Sequence, residues 1–310
     1  MTDHSLQAEP THSRWNRALE PRLVIESGDT VHLECVDSTG GQVTRSSKLA
    51  DFLSIDRGRI HALTGPIFIS SAVPGDTLEI QIRSIDHLGW GWSSITPGLG
   101  FLKDRFNAPY FFVWELEQNF TRSIAPAVVP LRPFCGVMGV APAESGQFRT
   151  RPPGPFGGNM DVNELSAGAK LFLPVLNPGA LFSAGDAHAA QGDGEVCING
   201  IECPVNLALT FHLHKHRAIT APLIESSPHP PPQGPAWIVV ESAPDPLAAA
   251  RTATSRLIDL LMSSCGLSAE NAYLLCSVAM NLRLSQVVNE PMITVSAALP
   301  KYILPAMRLF

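Results

Sequence analysis

The stretch from Gly157 to Glu202 is the most informative part of the chain: GGNMDVNELSAGAKLFLPVLNPGALFSAGDAHAAQGDGEVCINGIE. Apolar runs at 171–175 and 180–182 are typical of buried strands, and eight glycines supply tight turns. Its polar residues are of the types that bind metals, transfer protons or hold amides: Asn159, Asp161, Asp186, His188, Gln191, Asp193, Glu195 and Glu202. A hydrophobic core does not require such a cluster, so the stretch indicates a functional site.

Two pairs of residues in this stretch are spaced for a divalent metal ion. Residues two apart share a face of a strand, so we expect Asn159 and Asp161 to point together. The same spacing pairs Asp186 with His188, and a carboxylate beside an imidazole is half of a metal site. His61, in strand-like sequence before a Gly-Pro turn, is the best distant candidate to complete it. Each residue alone also fits a turn cap or a buried hydrogen bond.

The segment 191–195, QGDGE, is a glycine-spaced acidic loop. It is compatible with a simple turn, with a site for a hard cation such as calcium, or with a general base. Glu195 is the better candidate for the base, because it stands where the loop enters an expected strand at 196–198. Glu202, at the end of that strand, is expected to face the other side, in a second metal site or an ion pair.

The composition is that of a compact globule and excludes two classes of partner. The 310 residues are 45% hydrophobic and 16% charged, with a formal net charge of −6. Since no lysine- or arginine-rich run occurs, we expect neither nucleic acid nor a membrane surface as a partner. The N-terminus has no apolar signal segment and the six cysteines show no CxxC spacing, so we expect a cytoplasmic protein with reduced cysteines.

Short alternating runs predict strands through most of the chain, as at 30–35 and 205–214. A Pro-Gly-Asp turn at 74–76 lies between two such runs and resembles a hairpin turn. Bounded by turns, these runs favour short antiparallel strands in a sandwich- or barrel-like core.

Towards the C-terminus the pattern changes to helical spacing. A helix is predicted from 248 to 262 with Asp245 as its N-cap, and a second from 268 to 280. We therefore expect an α+β fold that is predominantly β, with a C-terminal helical hairpin. Residues 1–20 are expected to be a loose N-terminal arm, and residues 21–310 a single domain.

Several motifs resemble the signature blocks of the acetamidase/formamidase family of metal-associated amidases. The resemblance covers about residues 20–300, and it is carried by GGNMD, LFLPV, GDAHAAQGDGE, IHALTGPIFISSAVPGDTLEIQI, PGLGFLKDRF, PFCGVMGVAPAESGQ and SVAMNLRLSQVV. It is nearer to the acetamidase branch, since Phe156 stands where the formamidase branch often has histidine. Asn281 stands where an aspartate is expected.

The resemblance implies a set of site residues and a cofactor. The positions that match metal positions of the family are His61, Asp161, Asp186 and His188. Glu195 and Glu202 match its acidic site positions. The implied cofactor is a divalent metal, expected to be zinc because the donors mix imidazole and carboxylate, with room for a second ion such as calcium. We also expect a homo-oligomer, a dimer.

These observations predict a metal-dependent hydrolase that converts short aliphatic linear amides, such as acetamide or formamide, to carboxylate and ammonia. The metal would polarise the carbonyl or activate a water molecule. Glu195, or Glu202 in its place, would take the proton and return it to the departing nitrogen. Asn159 or Gln191 would hold the amide.

Two other functions fit the same residues. One is a thiol-dependent amidase, whose nucleophile would be Cys135, Cys197 or Cys203. The other is a non-catalytic β-rich binding module that a metal stabilises.

Two further groups of residues carry less specific signals. The bulky residues that could limit the size of a substrate pocket are Trp90, Trp92 and Phe156. Three histidines share one strand face and fit either a metal site or a solvated strand edge: His212, His214 and His216.

Overall fold

Strands make up most of the computed structural model, which describes residues 2–100, 103–104, 106–124, 129–227, 235–267, 269, 272, 280–304 and 307. The strands are β1 (Asp3–Leu6), β2 (Arg14–Trp15), β3 (Leu23–Ile25), β4 (Thr30–Cys35), β5 (Leu63–Ile69), β6 (Thr77–His87), β7 (Trp90–Ile95), β8 (Tyr110–Glu115), β9 (Phe120–Thr121), β10 (Val129–Pro130), β11 (Phe134–Gly139), β12 (Phe148–Arg149), β13 (Gly157–Asn159), β14 (Lys170–Pro174), β15 (Phe182–His188), β16 (Val205–His214), β17 (Leu223–Glu225), β18 (Ala236–Ala243), β19 (Asn281–Gln286) and β20 (Ile293–Pro300). The helices are α1 (Leu49–Leu53) and α2 (Pro246–Cys265). Single 3-10 turns lie at Arg57–Arg59 and Lys301–Ile303.

Two large sheets form the framework. One has nine strands in the order β1-β4-β16-β6-β14-β17-β18-β20-β19, and the other has five in the order β13-β11-β15-β5-β3. Neighbouring strands are antiparallel except β1 beside β4 and β3 beside β5. The predicted predominantly β fold of short antiparallel strands is confirmed. The sheets do not close into a barrel, so the sandwich-like alternative describes the fold.

The main core lies between the two sheets. In β4 the burial alternates as the period-two pattern predicts, so that Val31, Leu33 and Cys35 point inward. Phe182 of β15 and Phe211 of β16 join the two sheets, with ring centroids 5.2 Å apart in an edge-to-face arrangement. This packing fixes the distance between β15, the central strand of the five-stranded sheet, and the nine-stranded sheet.

The first twenty residues are not the loose arm that the sequence analysis predicted. β1 extends the nine-stranded sheet beside β4, and β2 pairs with β12. Trp15 is only 1% exposed, and its ring lies 5.5 Å from that of Phe156. The segment is polar and lacks a long periodic run, so its sequence does not predict strands. The pairing depends instead on contacts with strands far away in the sequence.

The turn at 74–76 is not a hairpin turn. β5 before it belongs to the five-stranded sheet, whereas β6 after it belongs to the nine-stranded sheet. The Asp76 side chain closes the turn by accepting a hydrogen bond from Val73 N at 2.9 Å. The local turn chemistry was therefore correct, but the connection crosses between sheets.

Helix α2 has the ends that its sequence predicts. Asp245 accepts hydrogen bonds from Leu247 N and Ala248 N, and Gly266 ends the helix in the left-handed conformation at φ 66°. Leu257 and Leu261 are buried against β18 and β20, and each such side chain contributes about 1.5–3 kcal/mol. Most of the predicted second helix at 268–280 lies outside the described residues, which include only 269, 272 and 280 of it. None of the helices described is long and apolar enough to cross a membrane.

Candidate active site and metal centre

The site forms where three neighbouring strands of the five-stranded sheet end. β15 carries Asp186 and His188, and it pairs with β11 in a register that sets His188 opposite Phe134. On the other side of β11, β13 sets Asn159 opposite Val137. The chain then turns over Gly136, whose carbonyl oxygen accepts the Asp161 N–H at 3.3 Å.

Gly136 is the point at which the backbone approaches the site most closely. A Cβ atom at this position would lie 2.3 Å from Asp161 Oδ1 and 2.8 Å from His188 Cε1. No side chain fits in that space. The absence of a side chain at 136 is therefore what allows Asp161 and His188 to face one another across β11.

Three site carboxylates stand on residues with a left-handed backbone. Asp161, Asp186 and Glu195 have φ values of 50°, 52° and 46°. Residues other than glycine adopt this region rarely and at a cost of about 1–3 kcal/mol, and such residues concentrate at functional sites. The positive φ of Asp186 interrupts the regular two-residue alternation of a strand. The prediction that Asp186 and His188 share a strand face rested on that alternation.

The four residues expected at the metal positions do converge. His188 Nδ1 lies 4.0 Å from Asp161 Oδ1, and His188 Nε2 lies 3.9 Å from Asp186 Oδ1. Ligand atoms of these three residues all lie within 4.8 Å of one another. His61 Nε2 lies 3.8 Å from the other oxygen of Asp186, so His61 adjoins this group without being one of its three members.

A second group shares His188. It consists of His188, Glu195 and Glu202, again with ligand atoms within 4.8 Å of one another. Glu202 was expected to face away from Glu195, and this prediction is wrong. Residues 196–198 form a turn instead of the predicted strand, and the chain returns so that Glu202 forms bridges with both His188 and Trp92.

Burial and mutual repulsion control the charges of these groups. Burial raises the pKa of Asp186 and Glu195 well above the usual value of a carboxyl group, and neighbouring carboxylates add to both shifts. Burial likewise raises the pKa of Asp161. Burial also lowers the pKa of His61 to about 4, which favours its neutral imidazole.

The unpaired atoms of the cluster fit a bound cation. Buried polar side-chain atoms in proteins nearly always have a hydrogen-bond partner. Here several atoms of the site residues have none among the described residues: Asp161 Oδ1, His188 Nδ1, Glu195 Oε2, Glu202 Oε2, Asn159 Oδ1 and His61 Nδ1. Most are carboxylate oxygens and imidazole nitrogens, the donor types of a divalent metal site. The chain therefore holds a candidate metal-binding cluster.

A cavity of about 540 Å³ opens onto this cluster. Asn159, which was predicted to bind substrate, lines it together with the site carboxylates. Of the three predicted bulky wall residues, Trp92 lines the cavity, while Trp90 and Phe156 are not among its lining residues. Trp92 is 4% exposed and its indole N–H donates to Asp37 Oδ2 at 2.9 Å.

Gln191 has a different environment from the one predicted for a substrate-binding amide. Its Nε2 donates to the backbone carbonyl of Asp161 at 3.0 Å and to that of Ser285 at 3.5 Å. The residue is absent from the cavity lining. These bonds tie the acidic loop to the turn that carries Asp161, which is a positioning contact.

Two functional contacts come from residues that the sequence analysis did not single out. Asn289 lines the cavity, and its Nδ2 donates to Asp161 Oδ2. Gln286 holds Asn289 in place, because its Oε1 accepts the N–H groups of Val288 and Asn289 at 2.9 and 2.8 Å. Asn289 directly follows the SVAMNLRLSQVV segment, so that motif reached to within one residue of it.

Other residues singled out from the sequence lie away from the cluster. Asn281 is exposed on β19. Among the three histidines of β16 and its end, His214 Nε2 contacts Glu79 Oε2 at 2.6 Å and His216 is exposed. Among the described residues, no group of three metal-ligand atoms occurs there.

The three candidate nucleophilic cysteines do not have the environment of a reactive thiol. Cys135 and Cys203 are completely buried, and burial raises the pKa of both thiols well above the usual value. Cys197 is exposed, and partial burial of its sulfur raises its pKa as well. A catalytic thiol needs a lowered pKa.

Comparison with known proteins identifies the family. A sequence model of the Acetamidase/Formamidase family matches residues 2–147 and 143–305. The chain belongs to the Acetamidase/Formamidase family. Its fold is similar to that of a family structure titled an acetamidase of Bacillus halodurans, at 32% identity and a TM-score of 0.90, covering 98% of this chain and 99% of that one.

Two more family members extend the comparison. A structure titled a predicted acetamidase/formamidase of Thermoanaerobacter tengcongensis has a TM-score of 0.91 at 29% identity, covering 99% and 98% of the two chains. The acetamidase of Mycolicibacterium smegmatis is 28% identical over 63% of this chain and 64% of its own length. The matched part spans only 60–64% of the length of three curated relatives.

Proposed function

We propose that this protein hydrolyses short aliphatic linear amides to the carboxylate and ammonia. The observation that carries the proposal is the buried cluster of four carboxylates around the imidazole of His188, which adjoins the cavity and in which several atoms have no partner among the described residues. Members of the family bear the names acetamidase and formamidase. A site that binds an amide and activates water needs donors of this kind.

The reaction is proposed to use a divalent metal ion. Asp161, Asp186 and His188 would hold it, with His61 beside them. Imidazole combined with carboxylates suits zinc, while a second ion such as calcium would have to use Glu195 and Glu202. When bound, the ion supplies positive charge that polarises the amide carbonyl and makes water more acidic.

Glu195 is the proposed general base and acid. Burial raises the pKa of its carboxyl group well above the usual value, which makes its carboxylate a stronger proton acceptor than an exposed one. Its Oε2 has no partner among the described residues. It takes a proton from water as the oxygen joins the acyl carbon, and returns a proton to the nitrogen as the C–N bond breaks.

Asn159 is proposed to hold the amide. Its side chain is buried, lines the cavity, and has an unpaired Oδ1. Such an oxygen can accept a hydrogen bond from the substrate NH2 group. An ester has no N–H group to donate and leaves the buried Asn159 oxygen unsatisfied, which costs about 1–3 kcal/mol and selects against esters.

The test is ammonia release from formamide, acetamide and butyramide, measured with metal content by elemental analysis. We expect activity that is lost with a chelator, restored by zinc, and absent in Asp186→Asn together with the metal. Asp193→Asn is the matched control, because Asp193 is an exposed aspartate in the acidic loop that follows β15. Amide hydrolysis that persists in metal-free protein would refute the proposed role of the metal ion. Metal binding without hydrolysis of any amide would refute the proposed hydrolase and favour the non-catalytic binding module.

A further inference from the structure

Four arginines line the cavity whose floor is the acidic cluster: Arg14, Arg57, Arg149 and Arg151. The protein as a whole has a net charge of −6, so this group is not a sample of a generally basic surface. Arginine presents five N–H donors in a planar fork that matches a carboxylate. The cavity therefore joins a basic side to an acidic side.

None of the four arginines forms an ion pair with a carboxylate in the part of the chain that the structure describes. Other arginines do, as Arg45 does with Glu115 and Arg122 with Glu117. Arg14 and Arg151 each donate one hydrogen bond to a backbone carbonyl, Ser13 O and Val288 O, both at 2.8 Å. The two guanidinium groups thus line the cavity with no anionic partner among the described residues.

Two of these arginines face each other directly. β2 pairs with β12 so that Arg149 and Arg14 are Cα partners. Partners in an antiparallel pair point to the same side of the strands with Cβ atoms about 5 Å apart, and like charges placed in this way are destabilising. A bound anion between them would remove that repulsion.

Arg151 connects the basic side to the reacting end of the cavity. It is bonded to the carbonyl of Val288, and the next residue, Asn289, contacts Asp161. Thr150, between Arg149 and Arg151, accepts the backbone N–H of His61 at 3.1 Å. The segment 149–151 is thus anchored beside the acidic cluster, which fixes the backbone that carries Arg149 and Arg151 relative to it.

We propose that the substrate of this site is a short amide that also carries a carboxylate, which Arg14, Arg149 and Arg151 bind while the amide lies at the acidic cluster. The proposal rests on the proposed amide hydrolysis and narrows its substrate class to monoamides of dicarboxylic acids. Repulsion from the acidic cluster and attraction to the arginines orient such a molecule in one direction. A cavity of about 540 Å³ exceeds what acetamide fills, which leaves room for the second group.

The reaction remains the same hydrolysis. With succinamate, the monoamide of succinate, water adds to the amide carbon, the C–N bond breaks, and succinate and ammonium leave. The carboxylate at the arginines takes no part in the bond changes. It contributes binding energy and orientation, so its effect is expected on KM more than on kcat.

The first measurement compares succinamate with levulinamide, a neutral amide of nearly the same shape. We expect kcat/KM to be about 10-fold to 100-fold higher for succinamate, as a hydrogen-bonded charge pair allows. Raising the ionic strength from about 0.01 M to about 1 M shortens the screening length from about 30 Å to about 3 Å. This change should raise KM for succinamate and leave that for levulinamide nearly constant.

The second measurement uses variants. Arg149→Gln and Arg151→Gln are each expected to lower the succinamate-to-levulinamide ratio about tenfold, whereas Arg149→Lys, which retains the charge without the planar fork, lowers it by less. Arg251→Gln, on helix α2 outside the cavity, is the matched control. Circular dichroism establishes that each variant is folded.

The outcomes separate this proposal from the one on which it rests. If neutral amides are hydrolysed as well as succinamate and the arginine variants leave the ratio unchanged, the carboxylate site is refuted while amide hydrolysis stands. If no amide is hydrolysed at all, the proposed function itself fails. A preference for succinamate that Arg251→Gln reduces as much as Arg149→Gln would also refute the assignment.

Discussion

His188 Nε2 and Glu202 Oε1 lie 2.8 Å apart across an antiparallel bridge between the end of β15 and the segment before β16. Burial disfavours the charged imidazole, but Glu202, Asp186 and Glu195 together outweigh it and raise the pKa of His188 well above its usual value. The same contact holds the pKa of Glu202 below its usual value in spite of burial. His188 therefore belongs to both groups of carboxylates, and a change of charge in one group affects the other through its imidazole.

The first prediction concerns Glu195, the proposed base. Glu195→Gln retains the shape of the side chain and removes its ability to accept a proton. We expect kcat to fall by about 10²–10⁴-fold, with KM and metal content unchanged. Steady-state kinetics on acetamide with elemental analysis measures both, and Glu144→Gln in an exposed loop is the control. Loss of metal in step with activity would instead make Glu195 a ligand and Glu202 the base.

The second prediction concerns the space at Gly136. Gly136→Ala would place a methyl group 2.3 Å from Asp161 Oδ1 and 2.8 Å from His188 Cε1, so one of the two must move. We expect metal affinity to fall by at least about 10-fold, as for other changes beside the ligands. Gly192→Ala is the matched control, since nothing lies within 4 Å of the added atom. Equal metal affinities for the two variants, measured by competitive titration, would contradict this.

Much of the site was predictable because its residues are close in sequence. Asp186, His188 and Glu195 fall in one glycine-rich stretch, and residues so few positions apart in the sequence lie near each other even though the positive φ of Asp186 interrupts the regular alternation. Their convergence with Asp161 follows from the pairing of β11 with both β13 and β15. Helix α2 was predictable for a similar reason, because its cap residues act within one turn.

The other features of the site and fold depend on contacts between residues far apart in the sequence, which local sequence patterns do not predict. Glu202 joins Glu195 only because residues 196–198 turn, and the left-handed conformation of Glu195 is what starts that turn. Asn289 reaches Asp161 from more than a hundred positions away, which requires the packing of β19 and its turn against the acidic loop. Trp15 is buried in a segment whose polarity predicts a loose arm.

The third prediction concerns the hydrogen bond between Trp92 and Asp37. Asp37 is buried, and burial raises the pKa of its carboxyl group, while the Trp92 indole N–H and Thr39 partly compensate. Trp92→Phe removes the donor and is expected to lower the free energy of unfolding by about 1–3 kcal/mol more than the loss of volume alone. Trp237→Phe provides the comparison, because the buried indole nitrogen of Trp237 has no partner among the described residues. Urea denaturation that gives equal losses for both variants would refute the bond's contribution.

The last prediction concerns stability in acid and the attachment of β1. Asp29 accepts hydrogen bonds from His4 Nε2, Thr2 N and Glu26 N at 3.0, 2.7 and 3.1 Å. The bond from His4 is the largest cause that lowers the pKa of Asp29 to about 2, below the ordinary value of 3.8. A carboxyl group whose pKa is lower in the folded state stabilises the fold above its ordinary pKa, and this contribution disappears as the pH falls through the folded value.

We therefore expect Asp29→Asn to lower the free energy of unfolding by a constant amount above about pH 4 and by progressively less between about pH 4 and pH 2. Urea denaturation at several pH values measures the difference between variant and parent. Asp86→Asn, at an exposed position of β6, serves as the control. Because Asp29 binds Thr2 and His4, hydrogen exchange in β1 should rise in Asp29→Asn and not in the control. A destabilisation that is the same at pH 2.5 and pH 6 would show that the Asp29 charge does not hold this strand.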